Sequence, residues 1–304
     1  MKIKRIVFSD LDGTVYGYPD KNINPNVIKS VNDAIKNDDI TFILNTGNPP
    51  LDKVKKIANE LNASYIIFSG GSVIYDNKIK EIAHVDEIPL EIVKKVIKLL
   101  ENNIAEVIVF AKNNYYITNK HHNTVSCAID FFEYDNFLDT KELIDDNVFK
   151  IEIYINESTP EKVDNVNKIL LENKIDLNIV NLKTHLEITP NNINKGTAIK
   201  KMCELLDVDI NYVMSIGDSY NDASMFEVTK FSYVMDNAIQ PVKKLANFYT
   251  SSVEQNGLGE AIIDYVFRTK FDIEKQNKEE MLKKWEIKKR RDAFYRNLAE
   301  KNKK

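Results

Sequence analysis

An apolar run near the amino end of the chain stops at a pair of acids. Residues Ile3 to Phe8 have the pattern of a buried strand, and Ser9-Asp10-Leu11-Asp12-Gly13-Thr14 follows directly. In an open α/β sheet, ligands bind at the edge formed by the carboxyl ends of the strands. The sequence therefore predicts that Asp10 and Asp12 project from a loop at that edge, beside backbone amides that can hold an anion.

A second acidic loop repeats this arrangement. Gly217-Asp218-Ser219-Tyr220-Asn221-Asp222 follows the strand-like run Tyr212 to Ile216. If the two strands lie side by side in a parallel sheet, their loops bring Asp10, Asp12 and Asp218 around one point with oxygen ligands only. Such a point suits Mg²⁺, which prefers carboxylate and other oxygen ligands.

Composition limits the class of protein. The chain has 304 residues, of which 43% are hydrophobic and 29% are charged, and this length is enough for two domains. A net charge of -4 does not indicate a nucleic acid or a membrane as a general partner. Cys127 and Cys203 lack the spacing of metal ligands and are expected to be reduced thiols. With no signal peptide and no apolar run of ~18 residues, a cytoplasmic location is expected.

The order of the predicted elements indicates an α/β fold that is interrupted by an insertion. In residues 1–75, strand-like and helix-like segments alternate, which predicts βαβ units and a Rossmann-like parallel-sheet core. In residues 76–191, pairs of strands predominate, and this pattern predicts an inserted α+β domain. The alternation resumes in residues 192–268, so the two outer segments are expected to build one sheet.

Residues 269–304 form a charged, helix-like tail. They contain 13 Lys and Arg against 7 Asp and Glu, a charge of +6 against -10 for the rest of the chain. The simplest interpretation is a solvated helix whose sparse apolar residues dock on the body, namely Leu282, Trp285, Phe294 and Leu298. The alternative is a basic tail that binds RNA or another partner.

Four motifs in order carry a family resemblance over residues 1–268. The chain resembles the haloacid dehalogenase-like hydrolases, in particular the Cof-type phosphatases, which have a large α+β cap domain inserted in the core. The stretch Leu186-Glu187-Ile188-Thr189-Pro190 before the third motif is also similar to that family. The motifs are Asp10-Leu11-Asp12-Gly13-Thr14, Thr46-Gly47, Lys195-Gly196 and Gly217-Asp218-Ser219-Tyr220-Asn221-Asp222.

The resemblance implies a Mg²⁺-dependent phosphatase acting on small phosphomonoesters, sugar phosphates foremost. Asp10 is the expected nucleophile and would form an aspartyl-phosphate, while Asp12 would exchange protons with the leaving group and the attacking water. The metal is expected on Asp10, Asp218 and the backbone carbonyl of Asp12, with Asp222 acting through water or a neighbouring ligand. Phosphate is expected at Leu11, Thr46, Gly47, Lys195 and Asn221.

Two departures from the family pattern bear on the substrate. Asn48 stands where many relatives have Arg, and Ser69 stands where many have Asn, so one fixed anchor for the leaving group is expected to be missing. One alternative is a hexose phosphomutase of the phosphomannomutase type, which needs basic cap residues for a second phosphate, but the predicted cap has no Arg. The other is a regulatory protein that contacts RNA or a partner through the tail. The sequence does not specify an oligomeric state.

Overall fold

The computed structural model describes residues 4–17, 22–100, 105–118, 137–141, 144, 147–155 and 157–301, and for 294–301 it describes the backbone only. The strands along this part of the chain are β1 (Arg5–Ser9), β2 (Ile40–Asn45), β3 (Tyr65–Phe68), β4 (Val73–Asp76), β5 (Glu81–Val85), β6 (Glu106–Ala111), β7 (Tyr115–Ile117), β8 (Leu138–Asp139), β9 (Val148–Tyr154), β10 (Asn178–Asn181), β11 (His185–Thr189), β12 (Met214–Gly217), β13 (Phe231–Val234) and β14 (Phe248–Tyr249). The helices are α1 (Pro25–Asn37), α2 (Asp52–Glu60), α3 (Leu90–Leu100), α4 (Pro160–Glu172), α5 (Lys195–Leu205), α6 (Ala223–Val228), α7 (Gln240–Lys243) and α8 (Gly257–Lys301).

The core sheet has eight strands in the order β14-β13-β12-β1-β2-β3-β4-β5. Strands β14 to β3 in this order are parallel, whereas β4 and β5 are antiparallel to their neighbours. The central strand β1 pairs with β12 on one side and β2 on the other, with Val7 opposite both Met214 and Phe42. The loops that follow β1 and β12 are therefore neighbours at one edge, as the sequence predicts.

Helices cover both faces of this sheet because its central strands are apolar on both sides. On one face, Ile6 and Phe8 pack with Ala198 of α5. On the other face, Val7 belongs to a cluster with Val27 of α1 and with residues at the start of α8. The result is a three-layer α/β core around the parallel sheet that the alternating pattern predicts.

A second, six-stranded sheet has the order β10-β11-β9-β6-β7-β8, and we call it the cap sheet. Helices α3 and α4 pack on one of its faces, while Ile108 and Phe110 on the other face join the core cluster. Strands β4 and β5 belong to the core sheet, which thus extends to Val85, beyond residue 76 where the sequence places the start of the inserted domain. The division of the chain into domains stays a prediction.

Helix α8 begins within the core and continues far beyond it. Its Thr269 is buried and accepts a hydrogen bond from Arg5, and no described residue after Thr269 is buried. Leu282 and Trp285 are more than half exposed, so the prediction that they dock on the body is wrong: both lie in the part of the continuous helix where no described residue is buried. Phe294 and Leu298 lie outside the described side chains.

Two expectations about composition can be compared with this structure. Cys203 is a buried free thiol, whose pKa burial raises to about 11, and Cys127 lies outside the described residues. Of the helices in the described ranges, none combines the length and apolar character required to cross a membrane.

Candidate active site

Asp10 lies where β1 ends, at the centre of the core sheet. Its backbone amide donates to the carbonyl of Ile216 in the neighbouring β12 over 3.0 Å, so the ladder between the two strands continues into the loop. Its side chain is nearly inaccessible, and Oδ1 accepts a hydrogen bond of 2.7 Å from Nζ of Lys195. A buried carboxylate is thus paired directly with a buried ammonium group.

Lys195 is brought to this point by the start of α5. Asn194 caps the helix in a reciprocal pair with Thr197, which fixes the first turn. At the next position, Gly196, a Cβ would lie only 2.1 Å from the backbone oxygen of Ser224, so only glycine lets α5 approach this close. The motif Lys195-Gly196 therefore couples one charged group to a close helix contact.

Asp222 joins Lys195 to the second acidic loop. Its Oδ1 accepts a hydrogen bond of 2.7 Å from Nζ of Lys195. Its Oδ2 accepts hydrogen bonds from the backbone amides of Asp218 and Ser219 over 2.9 and 3.0 Å. Since both oxygens are used in this way, Asp222 orders the loop and fixes the lysine. That Asp222 acts on a metal indirectly stays a prediction.

Asp218 has a buried oxygen that lacks a partner among the described residues. Its Oδ1 accepts no hydrogen bond. The other oxygen, Oδ2, lies so close to Gly13 that a Cβ there would be 2.3 Å away, and Gly13 has a φ of +77°, which favours glycine. The first motif thus leaves space for the carboxylate of the second.

The electrostatics of the cluster show an excess of negative charge. Burial raises the pKa of Asp10 well above its usual value, and the neighbouring Asp222 raises it further, while Lys195 opposes both. Burial and Asp222 likewise raise the pKa of Asp218 to about 7. The pKa of Lys195 is raised despite its burial, because Asp10 and Asp222 stabilise its charge.

These residues fit a divalent cation. Carboxylate oxygens of Asp10, Asp218 and Asp222 lie within 4.8 Å of one another, although both oxygens of Asp222 already accept hydrogen bonds. Three ionised carboxylates and one ammonium carry a net charge of -2, which a dication would neutralise. The buried oxygen of Asp218 without a partner is the acceptor that such an ion would satisfy.

The carboxylate of Asp12 lies outside this metal-fitting cluster. Its Oδ1 accepts a hydrogen bond of 3.0 Å from the hydroxyl of Tyr16, and its Oδ2 accepts one of 2.6 Å from the side-chain amide of Asn48. Neither Tyr16 nor Asn48 is among the site residues that the sequence predicts. A tyrosine four residues after the acid, at the turn that follows β1, was the available signal.

Thr46 and Gly47 follow β2 in the loop next to Asp10. The hydroxyl oxygen of Thr46 accepts hydrogen bonds from the backbone amide and the side-chain amide of Asn48 over 3.1 and 3.0 Å, and its own proton has no acceptor among the residues described. Helix α2 begins later, after Leu51, so Thr46 does not cap it. In the first loop, Leu11 is fully buried and its carbonyl accepts the amide of Val15, which closes the turn.

Asn221 lies beside Gly47, at the far end of the second acidic loop. Its Oδ1 accepts a hydrogen bond of 2.8 Å from Ser219, and its Nδ2 donates to Glu187 over 3.3 Å. Within the described part of the chain it makes no hydrogen bond to Lys195. The contact with Glu187 belongs to the cap sheet and was not foreseen from the sequence.

Comparison with known proteins agrees with this geometry. A family model described as haloacid dehalogenase-like hydrolase matches residues 7–262. A protein of Bacillus subtilis named "Putative phosphatase YkrA" is 26% identical, over 85% of this chain and 96% of its own length. The "Phosphoglycolate phosphatase" of Methanococcoides burtonii is 27% identical, over 86% of this chain and 96% of its own length.

Solved structures show the same architecture. A haloacid dehalogenase-like hydrolase from Bacteroides thetaiotaomicron is 25% identical with a TM-score of 0.69, covering 86% of this chain and 99% of that one. A sugar phosphatase of subclass IIB has a TM-score of 0.75 at 18% identity over the same shares of the two chains, a likeness of fold. From the family match and the phosphatase relatives over most of its length, the chain belongs to the haloacid dehalogenase-like hydrolases and is a phosphoric monoester hydrolase.

Proposed function

We propose that the chain hydrolyses small phosphomonoesters, sugar phosphates foremost, with Mg²⁺ and through an aspartyl-phosphate on Asp10. The observation that carries this proposal is the buried pair of Asp10 and Lys195 beside the unpartnered oxygen of Asp218. A phosphoryl group placed there meets a nucleophile, a fixed positive charge and a site for a dication.

Asp10, Asp218 and the backbone carbonyl of Asp12 would hold Mg²⁺. When bound, the ion supplies positive charge that neutralises the phosphoryl oxygens and the carboxylates around them. Lys195 uses two of its N–H groups on Asp10 and Asp222, and its third N–H is available for a phosphate oxygen.

The covalent steps use Asp10 and Asp12. A carboxylate oxygen of Asp10 attacks phosphorus, the bond to the leaving oxygen breaks, and Asp12 donates a proton to that oxygen. Water then attacks phosphorus, Asp12 takes a proton from it, and the bond to Asp10 breaks as phosphate leaves. Tyr16 and Asn48 hold the carboxylate of Asp12 in one orientation for both transfers.

The neighbouring loops are suited to bind the phosphoryl oxygens. The free hydroxyl proton of Thr46 and the backbone amides of Leu11 and Gly47 would donate to them, and Asn221 lies beside Gly47. A small phosphorylated metabolite as substrate is supported by the phosphatase names of the relatives and by the sugar phosphatase among the fold neighbours.

A screen of phosphorylated metabolites for release of inorganic phosphate tests the proposal. We expect turnover of sugar phosphates with Mg²⁺ and its loss in excess EDTA, with recovery when Mg²⁺ is added back. Full activity in EDTA would contradict the metal requirement. Conversion between isomeric hexose phosphates without release of phosphate would instead support the phosphomutase alternative.

A further inference from the structure

A buried ionic cluster lies on the face of the cap sheet that is turned towards the core. Nζ of Lys150 donates to Oε1 of Glu152 over 2.5 Å and to Oε1 of Glu187 over 2.7 Å. Glu152 on β9 and Glu187 on β11 are directly opposite each other in the register, so the two carboxylates share one face with the lysine. All three residues are less than 10% exposed, and we call them the cap triad.

The cap triad contacts the core loops that are proposed to bind phosphate. The third N–H of Lys150 donates to the backbone carbonyl of Gly47 over 2.6 Å, and Oε2 of Glu187 accepts from Asn221 over 3.3 Å. A Cβ at Gly47 would lie 2.7 Å from Oε1 of Glu187, so the carboxylate packs directly on the loop. The triad thus forms a wall next to the phosphoryl site, on the side of the cap.

This wall offers hydrogen-bond acceptors and negative charge to the leaving group of a substrate. Lys150 donates its three N–H groups to Gly47, Glu152 and Glu187. Oε2 of Glu152 also accepts a hydrogen bond of 2.7 Å from Tyr154, and each carboxylate keeps further lone pairs. The triad carries a net charge of -1 when its groups are ionised. Although burial raises the pKa of Glu187, the charge of Lys150 above all lowers it to about 2, with smaller contributions from His185 and Lys195.

We propose that Glu187 and Glu152, held in place by Lys150, determine which leaving group is accepted. Their carboxylates accept hydrogen bonds from the hydroxyl groups of an uncharged leaving group, and they repel a leaving group that bears a carboxylate or a second phosphate. The inference rests on the proposed function and adds the substrate class. A hydroxyl donates to a carboxylate, whereas an anion at the same place finds no donor on the triad and meets like charge. Phosphoglycolate, the substrate in the names of two relatives, falls in the excluded class.

Two matched pairs of substrates test the proposal, because in each pair a terminal hydroxymethyl group is replaced by a carboxylate. They are sorbitol 6-phosphate with 6-phosphogluconate, and glycerol 3-phosphate with 3-phosphoglycerate. For the full chain with Mg²⁺ we expect kcat/KM to be about 100-fold higher for the uncharged member of at least one pair. A discrimination of this size is typical when the rejected substrate leaves a buried polar group unpaired or meets like charge. In Glu187→Gln the ratio should fall about tenfold, since one negative charge is removed from the wall.

A second variant and a control separate specificity from a general loss of structure. Glu152→Gln should lower the same ratio, which keeps the test decisive if Glu187→Gln does not fold. Glu106→Gln, a buried glutamate on the same face of the sheet that is bonded to Thr118, should leave the ratio unchanged. Circular dichroism and thermal melting establish that each variant is folded.

p-Nitrophenyl phosphate distinguishes failure of this inference from failure of the proposed function. Suppose that p-nitrophenyl phosphate is hydrolysed, but that kcat/KM is equal for the charged and uncharged members of each pair, or that neither member is hydrolysed. The specificity role of the glutamates is then overturned, and the phosphatase proposal stands. A ratio that changes in neither glutamate variant also overturns the role. If no phosphate ester at all is hydrolysed with Mg²⁺, the proposed function falls and the inference falls with it.

Discussion

Asn48 donates a hydrogen bond of 2.6 Å from its side-chain amide to Oδ2 of Asp12. The sequence suggested only that an arginine anchor is missing at this position. In the structure the shorter side chain has a contact of its own, because it links Asp12 to the hydroxyl of Thr46. The residue at this position thus helps to set the orientation of the proposed general acid and base.

Replacing Asn48 with Ala should lower kcat for a sugar phosphate about tenfold, the worth of one hydrogen bond to a charged group. The loss should be smaller for p-nitrophenyl phosphate, whose good leaving group needs little protonation by Asp12. Steady-state kinetics on both substrates measure the difference. Asn26→Ala, at an exposed position on α1, is the matched control. Equal losses on the two substrates would argue against an action through Asp12.

Asp218→Asn should increase the concentration of Mg²⁺ needed for half-maximal activity about tenfold or more, because the ion loses a charged ligand. Titration of activity with Mg²⁺ measures this value. The control Asp236→Asn removes a surface carboxylate that pairs with Lys243, and it should leave the Mg²⁺ concentration for half-maximal activity unchanged. An unchanged requirement in Asp218→Asn would remove Asp218 from the metal site.

Binding of Mg²⁺ should depend on pH near neutrality. In the metal-free protein the pKa of Asp218 is raised to about 7, so below that pH the ion must displace a proton. The affinity for Mg²⁺ should therefore fall as the pH is lowered from 8 to 6, by up to about tenfold per pH unit below the pKa. Calorimetric titrations in buffers of different ionisation enthalpy would detect the released proton. An affinity for Mg²⁺ that stays the same between pH 8 and pH 6 would contradict the raised pKa of Asp218.

Much of the core could be predicted because each strand of the parallel sheet is a short apolar run. The two runs that the sequence indicates as strands, Ile3 to Phe8 and Tyr212 to Ile216, overlap β1 and β12. The closeness of Asp10 and Asp218 follows from acids at the ends of two neighbouring strands, whereas the carboxylate of Asp12, expected at the same point, lies outside the cluster, and Lys195 was expected only from the family resemblance. These signals are local in sequence, and the rule that parallel strands end at one edge brought them together.

The cap triad could not be predicted in this way. In β9 the charged residues Lys150 and Glu152 alternate with isoleucines, which is the pattern of a strand with one solvated face. That face is buried only because the cap sheet packs over the core loops. Similarly, the apolar residues Leu282 and Trp285 suggested docking, but a single continuous helix carries them beyond the core.

Gly196→Ala should destabilise the protein by about 2 kcal/mol, because a Cβ there would meet a backbone oxygen that cannot rotate away. Denaturant unfolding measures the change in the free energy of unfolding. Lys200→Ala, at an exposed position of the same helix, should change it by less than about 0.5 kcal/mol. A fully stable Gly196→Ala variant would show that α5 and α6 can separate without cost.

Asp10 is proposed to carry the phosphoryl group during turnover. Asparagine has nearly the same volume as aspartate but cannot form the covalent intermediate, so Asp10→Asn should retain the fold and lose turnover. The measurement is kcat for p-nitrophenyl phosphate with saturating Mg²⁺, beside Asp33→Asn at an exposed position as control. A loss of about 1,000-fold or more, equal to several kcal/mol of transition-state stabilisation, is predicted. Activity within about tenfold of the unchanged protein would contradict the covalent role of Asp10.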